Sequence, residues 1–168
     1  MPKRILIPLD GSDFSRQIFS QVRKIFSPQE TEVVLLRVIP QANGIVAHPP
    51  RPVSADIPMP VFESASDIEY ANHPIYASQA LETLEAETLE ALEVDARNLK
   101  QAGYTVSTEC RLGDAAQEIV KFVENEKIDA IAMTTHGRSG MSEIIFGSVA
   151  HAVLRSVNVP VMLWRPGK

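Results

Sequence analysis

An open parallel α/β sheet with helices on both faces is the fold class that this 168-residue sequence predicts. Three observations predict it. Short apolar runs alternate along the chain with segments of helical periodicity. The run Ile128 to Met133 is apolar without interruption, as a central parallel strand covered on both faces requires. A glycine-rich segment, His136 to Ser148, then separates that run from a helical stretch, and it is after such strands that α/β sheets bind ligands.

Arg4 to Leu9 is a strand ended by the turn Asp10-Gly11-Ser12, which leads into a helix N-cap at Ser12 or Asp13. Phe14, Ile18, Val22 and Ile25 then recur at helical spacing. Glu32 to Ile39, rich in Val, Leu and Ile, is the second strand. Pro40 to Ala77 breaks the rhythm: it holds seven of the twelve prolines and lacks either periodicity. It exceeds a usual β-to-α connection and reads as an inserted, partly mobile loop, either a tolerated insertion or a lid or partner-binding segment. The spacing of its His48 and His73 marks no metal site. Ser78 to Ala102 is a long helix with Gly103 as its C-cap. Its apolar stripe is Leu81, Leu84, Leu92, Ala96 and Leu99, and six acids face Arg97 and Lys100 on what reads as a solvated side. Tyr104 to Cys110 alternates as a third strand. Gly113-Asp114 opens the next helix, with Asp114 and Gln117 spaced as a capping box and Ile119, Val120 and Val123 on the buried face. Val149 to Val157 is the last helix and Asn158 to Trp164 the fifth strand. Right-handed crossovers place the helices on both faces.

The length suits one domain spanning 1–168, with a core of its own. A net charge of −5 argues against a general nucleic-acid binder. From Thr134 onward, however, four basic residues (Arg138, Arg155, Arg165, Lys168) stand against one acid, Glu143, as an anion site prefers. The single cysteine, Cys110, excludes an internal disulfide and fits a reducing compartment. Lys3-Arg4 before Ile5-Leu6-Ile7 resembles a signal start only until Pro8 ends the apolar run, and no run approaches a membrane span. The expected location is cytoplasmic.

Two loops are candidates for one site. If the first and fourth strands are neighbours, Pro8 to Ser12 and Thr134 to Ser148 meet at a crevice at the carboxyl ends of the strands. Asp10 is then a candidate for a ribose hydroxyl or a divalent ion such as Mg or Mn, although taken singly it is also a turn former and helix cap. Gly137, Gly140, Gly147 and Ser148 are candidates to wrap phosphates, because glycine admits close approach and a helix start offers unpaired N–H groups. Neither G-x-x-x-x-G-K-[ST] nor G-x-G-x-x-G after the first strand is present, so a P-loop ATPase and a dinucleotide dehydrogenase find no support.

Ile7-Pro8-Leu9-Asp10-Gly11-Ser12 at the end of the first strand, and Thr134-Thr135-His136-Gly137 followed by nine residues and Gly147-Ser148, resemble the universal stress protein family. The resemblance covers almost the whole chain in order, including the closing Val159-Pro160-Val161-Met162-Leu163 strand. It implies a Rossmann-like five-stranded sheet in the order 3-2-1-4-5 and a homodimer, here through strand 158–164. It also implies adenine and ribose against Pro8, Leu9, Asp10 and Val38. The phosphates would lie against Met133, His136, Gly137, Arg138, Gly140, Gly147, Ser148 and Val149. The nucleotide is ATP in the ATP-binding members, and ADP or AMP are further candidates. One departure is Thr134, where the family motif has glycine; its side chain either crowds the ligand or adds a hydroxyl contact.

His136 has no identifiable catalytic partner, and the motif lacks a dedicated base or a second phosphate-gripping lysine, so hydrolysis would be slow at most. The leading expectation is a nucleotide-binding stress or signalling protein acting as a dimeric switch through a protein partner. The alternatives are a nucleotide-free dimeric adaptor and, with less room in one small domain, an adenylating enzyme.

Overall fold

The structure, a computed structural model, describes residues 2–40, 74–135 and 147–166. Strands β1 (Lys3–Leu9), β2 (Thr31–Ile39), β3 (Thr105–Leu112), β4 (Ala130–Thr134) and β5 (Val161–Trp164) form one parallel sheet in the order β3-β2-β1-β4-β5. The helices are α1 (Asp13–Arg16), α2 (Ile18–Ile25), α3 (Pro74–Gln101), α4 (Ala115–Asn125) and α5 (Ser148–Ser156). The chain divides into two units, Met1–Pro40 with Thr88–Lys168, and Gln41–Glu87. The described part of the second unit, residues 74–87, is helical. Residues 41–73 of the Pro40–Ala77 segment, with His48 and His73, lie outside the described residues, and its last four residues are helical. No helix among the described residues is long and apolar enough to cross a membrane.

Alternation along the central strands builds a core on each face of the sheet. Ile5, Ile7 and Leu9 of β1, Val33 and Leu35 of β2 and Ala132 of β4 pack with Ile18, Phe19 and Val22 of α2 and Leu92, Ala96 and Leu99 of α3. The intervening residues Leu6, Val34, Leu36, Ile131 and Met133 pack with Ile119 and Phe122 of α4 and Ala150 and Val153 of α5. Both sets are almost fully buried, which is why the strands read as continuous apolar runs.

Several boundaries and faces differ from the sequence expectation, each for a physical reason. The first helix is broken at Gln17, whose N–H turns to Phe14 O at 3.2 Å, an i→i−3 bond. That tighter turn shifts the helical phase, so Ile25 is 60% exposed, while Phe19 is buried and Phe26 packs half-buried on the core. Helix α3 starts at Pro74 rather than Ser78, since proline at the first helical position lacks only an N–H that would be unpaired anyway. In its stripe Leu84 is exposed, and on the side read as solvated Asp95 is only 5% exposed. Strand β5 starts at Val161 rather than Asn158; Pro160 just before it has no N–H for a ladder, although its carbonyl accepts from Ile131 N at 2.9 Å.

Glycine closes α3 as the sequence suggests. Gly103 has φ +93°, Tyr104 N reaches back to Leu99 O at 3.1 Å and Gly103 N to Lys100 O at 2.9 Å, the paired bonds of a Schellman motif. The turn delivers Tyr104 into the core, where its hydroxyl donates to Phe26 O at 2.7 Å and burial pushes its pKa up. Tyr104→Phe leaves the Phe26 carbonyl without that donor. The expected loss is about 1–3 kcal/mol of unfolding free energy, read by urea denaturation; no loss would mean that water replaces the bond.

Candidate functional site

The β1–β2 ladder runs on to Leu9↔Arg37, but the β1–β4 register stops at Leu6↔Ile131. Pro8, which has no N–H, follows that stop. A cleft of about 220 Å³ lies beyond it, at the carboxyl ends of β1, β2 and β4. Its apolar lining is Pro8, Leu9, Leu36, Val38, Ala115, Ile119, Met133, Val149 and Ala150, and its polar lining is Asp10, Ser15, Thr134, Thr135, Gly147 and Ser148.

Of the residues singled out from sequence, the fold gathers Pro8, Leu9, Asp10, Val38, Met133, Thr134, Gly147, Ser148 and Val149 around this one cleft. His136, Gly137, Arg138 and Gly140 lie outside the described residues. Leu36, Ser15, Ala115, Ile119, Thr135 and Ala150 also line the cleft and were not singled out. Leu36 was within reach, because it shares a strand face with Val38 at period two. Ala115 and Ile119 carry no local signal: only the packing of α4 on the sheet brings them there.

The β1 loop is tied internally. Asp10 Oδ1 accepts from Ser12 N at 2.9 Å and from Ser12 Oγ at 2.6 Å, an Asx turn. Ser12 Oγ accepts from Ser15 N at 3.1 Å, so Ser12 is the N-cap of α1, and Ser15 Oγ donates to Ser12 O at 2.8 Å. Asp114 caps α4 in the same way, accepting from Gln117 N at 3.0 Å. The start of α5 differs. Its cap is Gly147, which brings no side chain to the N–H groups of the first turn. Gly147 has φ −54°, and a Cβ there would meet nothing within 4 Å among the described residues. Glycine is therefore required neither by backbone strain nor by neighbouring atoms, unlike at Gly11. Three or more His, Cys, Asp or Glu side chains placed to hold a metal ion do not gather anywhere among the described residues.

Comparison with known proteins matches this architecture. The pattern of the Universal stress protein family fits residues 1–165. The chain belongs to the universal stress protein family. It is 30% identical to universal stress protein MJ0531 of Methanocaldococcus jannaschii over 166 residues, covering 99% of this chain and 84% of that protein. It is 27% identical to universal stress protein MJ0577 of the same organism, covering 97% of this chain and 94% of that one. The solved MJ0577 structure superposes with a TM-score of 0.69 at 26% identity, over 100% of this chain and 99% of that chain. A universal stress protein family protein from Arabidopsis thaliana, solved with AMP bound, shares the fold at a TM-score of 0.59 and 15% identity, over 99% of this chain and 93% of that chain.

The family's first-strand turn depends on glycine here. Gly11 has φ +80°, and the guanidinium of Arg37 occupies the place where a Cβ would stand. Gly11→Ala must displace Arg37 and hold a left-handed backbone, a strain of about 1–2 kcal/mol. A matching fall in unfolding free energy is expected in urea, and an unchanged midpoint would show that the turn relaxes to negative φ.

Proposed function

We propose that this universal stress protein binds an adenine nucleotide, ATP first among them, in the cleft between β1 and β4, and that binding governs a homodimeric signalling switch. One observation carries the reading: the β1 turn, the ends of β2 and β4 and the side-chain-free start of α5 converge on a single cleft at the point where the strand order reverses.

The chemistry of the lining fits the ligand. Apolar Val38, Leu36, Ile119 and Met133 suit a base, and Asp10 offers acceptor oxygens toward a ribose hydroxyl or a hydrated Mg or Mn ion carried by the phosphates. The amides of the first turn of α5 with the Ser148 hydroxyl suit phosphate oxygens. Thr134, which stands where the family motif has glycine, lines the cleft and would add a hydroxyl donor. About 220 Å³ is less than the ~300–1,000 Å³ that encloses a whole drug-sized ligand. That suits a buried base with sugar and phosphates directed outward. The AMP-bound relative from Arabidopsis thaliana supports adenine as the base.

The homodimer reading rests on β5. It ends the sheet, and its residues Val161 to Trp164 are only half-buried within one chain. An apolar edge strand left open is an aggregation hazard, and pairing with a second copy across a two-fold axis removes it.

Calorimetry with ATP and Mg tests the first reading: saturable one-to-one binding supports it, and absence of binding by ATP, ADP and AMP alike leaves the nucleotide-free adaptor. Gly147→Val should weaken ATP binding by about tenfold or more with unchanged circular dichroism, because its side chain fills the phosphate approach. For the dimer, Val161→Lys should raise the monomer fraction in sedimentation, whereas a monomeric wild-type protein at high concentration contradicts pairing through β5.

A further inference from the structure

The β1 turn at the cleft is held from the opposite side of the sheet. Its internal bonds, Asp10 to Ser12 and Ser12 to Ser15, are local, and the link between them, Gly11, is an exposed glycine at positive φ with wide conformational freedom. Arg16 fastens that link. Its Nη1 donates to the Gly11 carbonyl at 2.9 Å and to Asp13 Oδ1 at 3.1 Å, while its Nε donates to Asp95 Oδ1 at 2.8 Å.

Asp95 lies on α3, is only 5% exposed, and sits among Leu92, Ala96 and Leu99 of the packed core. A close-packed core does not let its carboxylate drift. The guanidinium is a rigid plane with donors pointing in fixed directions, so fixing its Nε edge aims its Nη1. A lysine ammonium cannot hold both partners with the same geometry. The Asp95 hydrogen bond, against the opposing effect of burial, holds the Arg16 guanidinium above its ordinary pKa. On its other side Gly11 meets the Arg37 guanidinium, which blocks escape in that direction.

We propose that Asp95 is a positioning residue for the nucleotide loop: through Arg16 it fixes the Gly11 carbonyl, and thereby the aim of Asp10 and Ser15 into the cleft. The inference rests on the nucleotide reading for its consequence, weaker ligand binding, and on geometry alone for the brace itself. A buried ion pair contributes little net stability against an apolar replacement, so its role here is to select one conformation of the loop.

The test uses Asp95→Asn, which keeps the shape and removes the charge, and Arg16→Lys, which keeps the charge and removes the fork. Tyr104→Phe serves as a control that loosens the same face without touching the relay. ATP affinity is measured well below each melting temperature, and amide hydrogen exchange is followed at Gly11, Ser12 and Ser15. Both relay variants should bind ATP about tenfold more weakly, the scale of a small misplacement of a binding group, and exchange faster at these amides. Tyr104→Phe should change neither. Wild-type affinity with wild-type exchange in both relay variants overturns the proposal, as does an equal affinity loss in Tyr104→Phe. A wild-type protein that binds no adenine nucleotide removes the ligand reading, while faster exchange confined to the relay variants would still support the brace.

Discussion

Parallel hydrogen bonding on both edges of β1, with burial of both its faces, is the constraint from which the described architecture follows. A strand in that position has no solvent side, so every residue from Ile5 to Ile7 is fully buried. Its neighbours are β2 on one edge and β4 on the other, which makes β1 the place where the strand order reverses. The helix after β1, α2, packs on one face of the sheet, and the helix after β4, α5, packs on the other. In an open α/β sheet, ligands bind in the crevice at the carboxyl ends of the strands where the order reverses. The β1–β4 register stops at Leu6, before Pro8, and the cleft lies beyond that stop.

The polar groups around the cleft are not equally available. The start of α1 is closed by Ser12 and that of α4 by Asp114, each side chain satisfying an N–H that would otherwise be free. Only α5, among these three helices, begins at a residue with no side chain, and it does so at the cleft. The contrast is one of local chemistry: with φ −54° and no described atom within 4 Å of a Cβ, a serine or aspartate at 147 would be compatible with the backbone there. Family membership follows from similarity along nearly the whole chain, whereas a shared fold at 15% identity speaks for architecture alone.

Charge inside the fold follows the same economy. Asp95 is the one carboxylate of α3 that the described core covers, and it is met by Arg16. Glu93, half-exposed, is instead bonded by Lys100 and Thr108, which hold its carboxyl below the ordinary range. The Lys100 and Thr108 contacts tie α3 to itself and to the edge strand β3, while the Arg16 contact ties it to the β1 turn. One helix thus reaches the edge strand β3 and the turn after the central strand β1 with different bonds, and a surface of six acids separates into solvated and structural members.

Sequence by itself determined what depends on neighbours along the chain. Continuous apolar runs specified the central strands, because a parallel strand covered on both faces tolerates nothing else. Ser12, Asp114 and Gly103 specified helix ends through bonds that span three to five residues. The loops Pro8–Ser12 and Thr134–Ser148 were legible as candidates for one site because each is a continuous stretch, and the family resemblance added Val38, Met133 and Val149. Tertiary structure decided what depends on contacts across the chain. Ile25 is exposed because one i→i−3 turn at Gln17 rotates the helix, a small energy difference that periodicity does not register. Ala115 and Ile119 join the cleft only because α4 packs on the same face as α5. Asp95 looked like its exposed neighbours until Arg16, 79 residues away, was brought against it, and no local pattern distinguishes a carboxylate that will find its cation from one that stays in water.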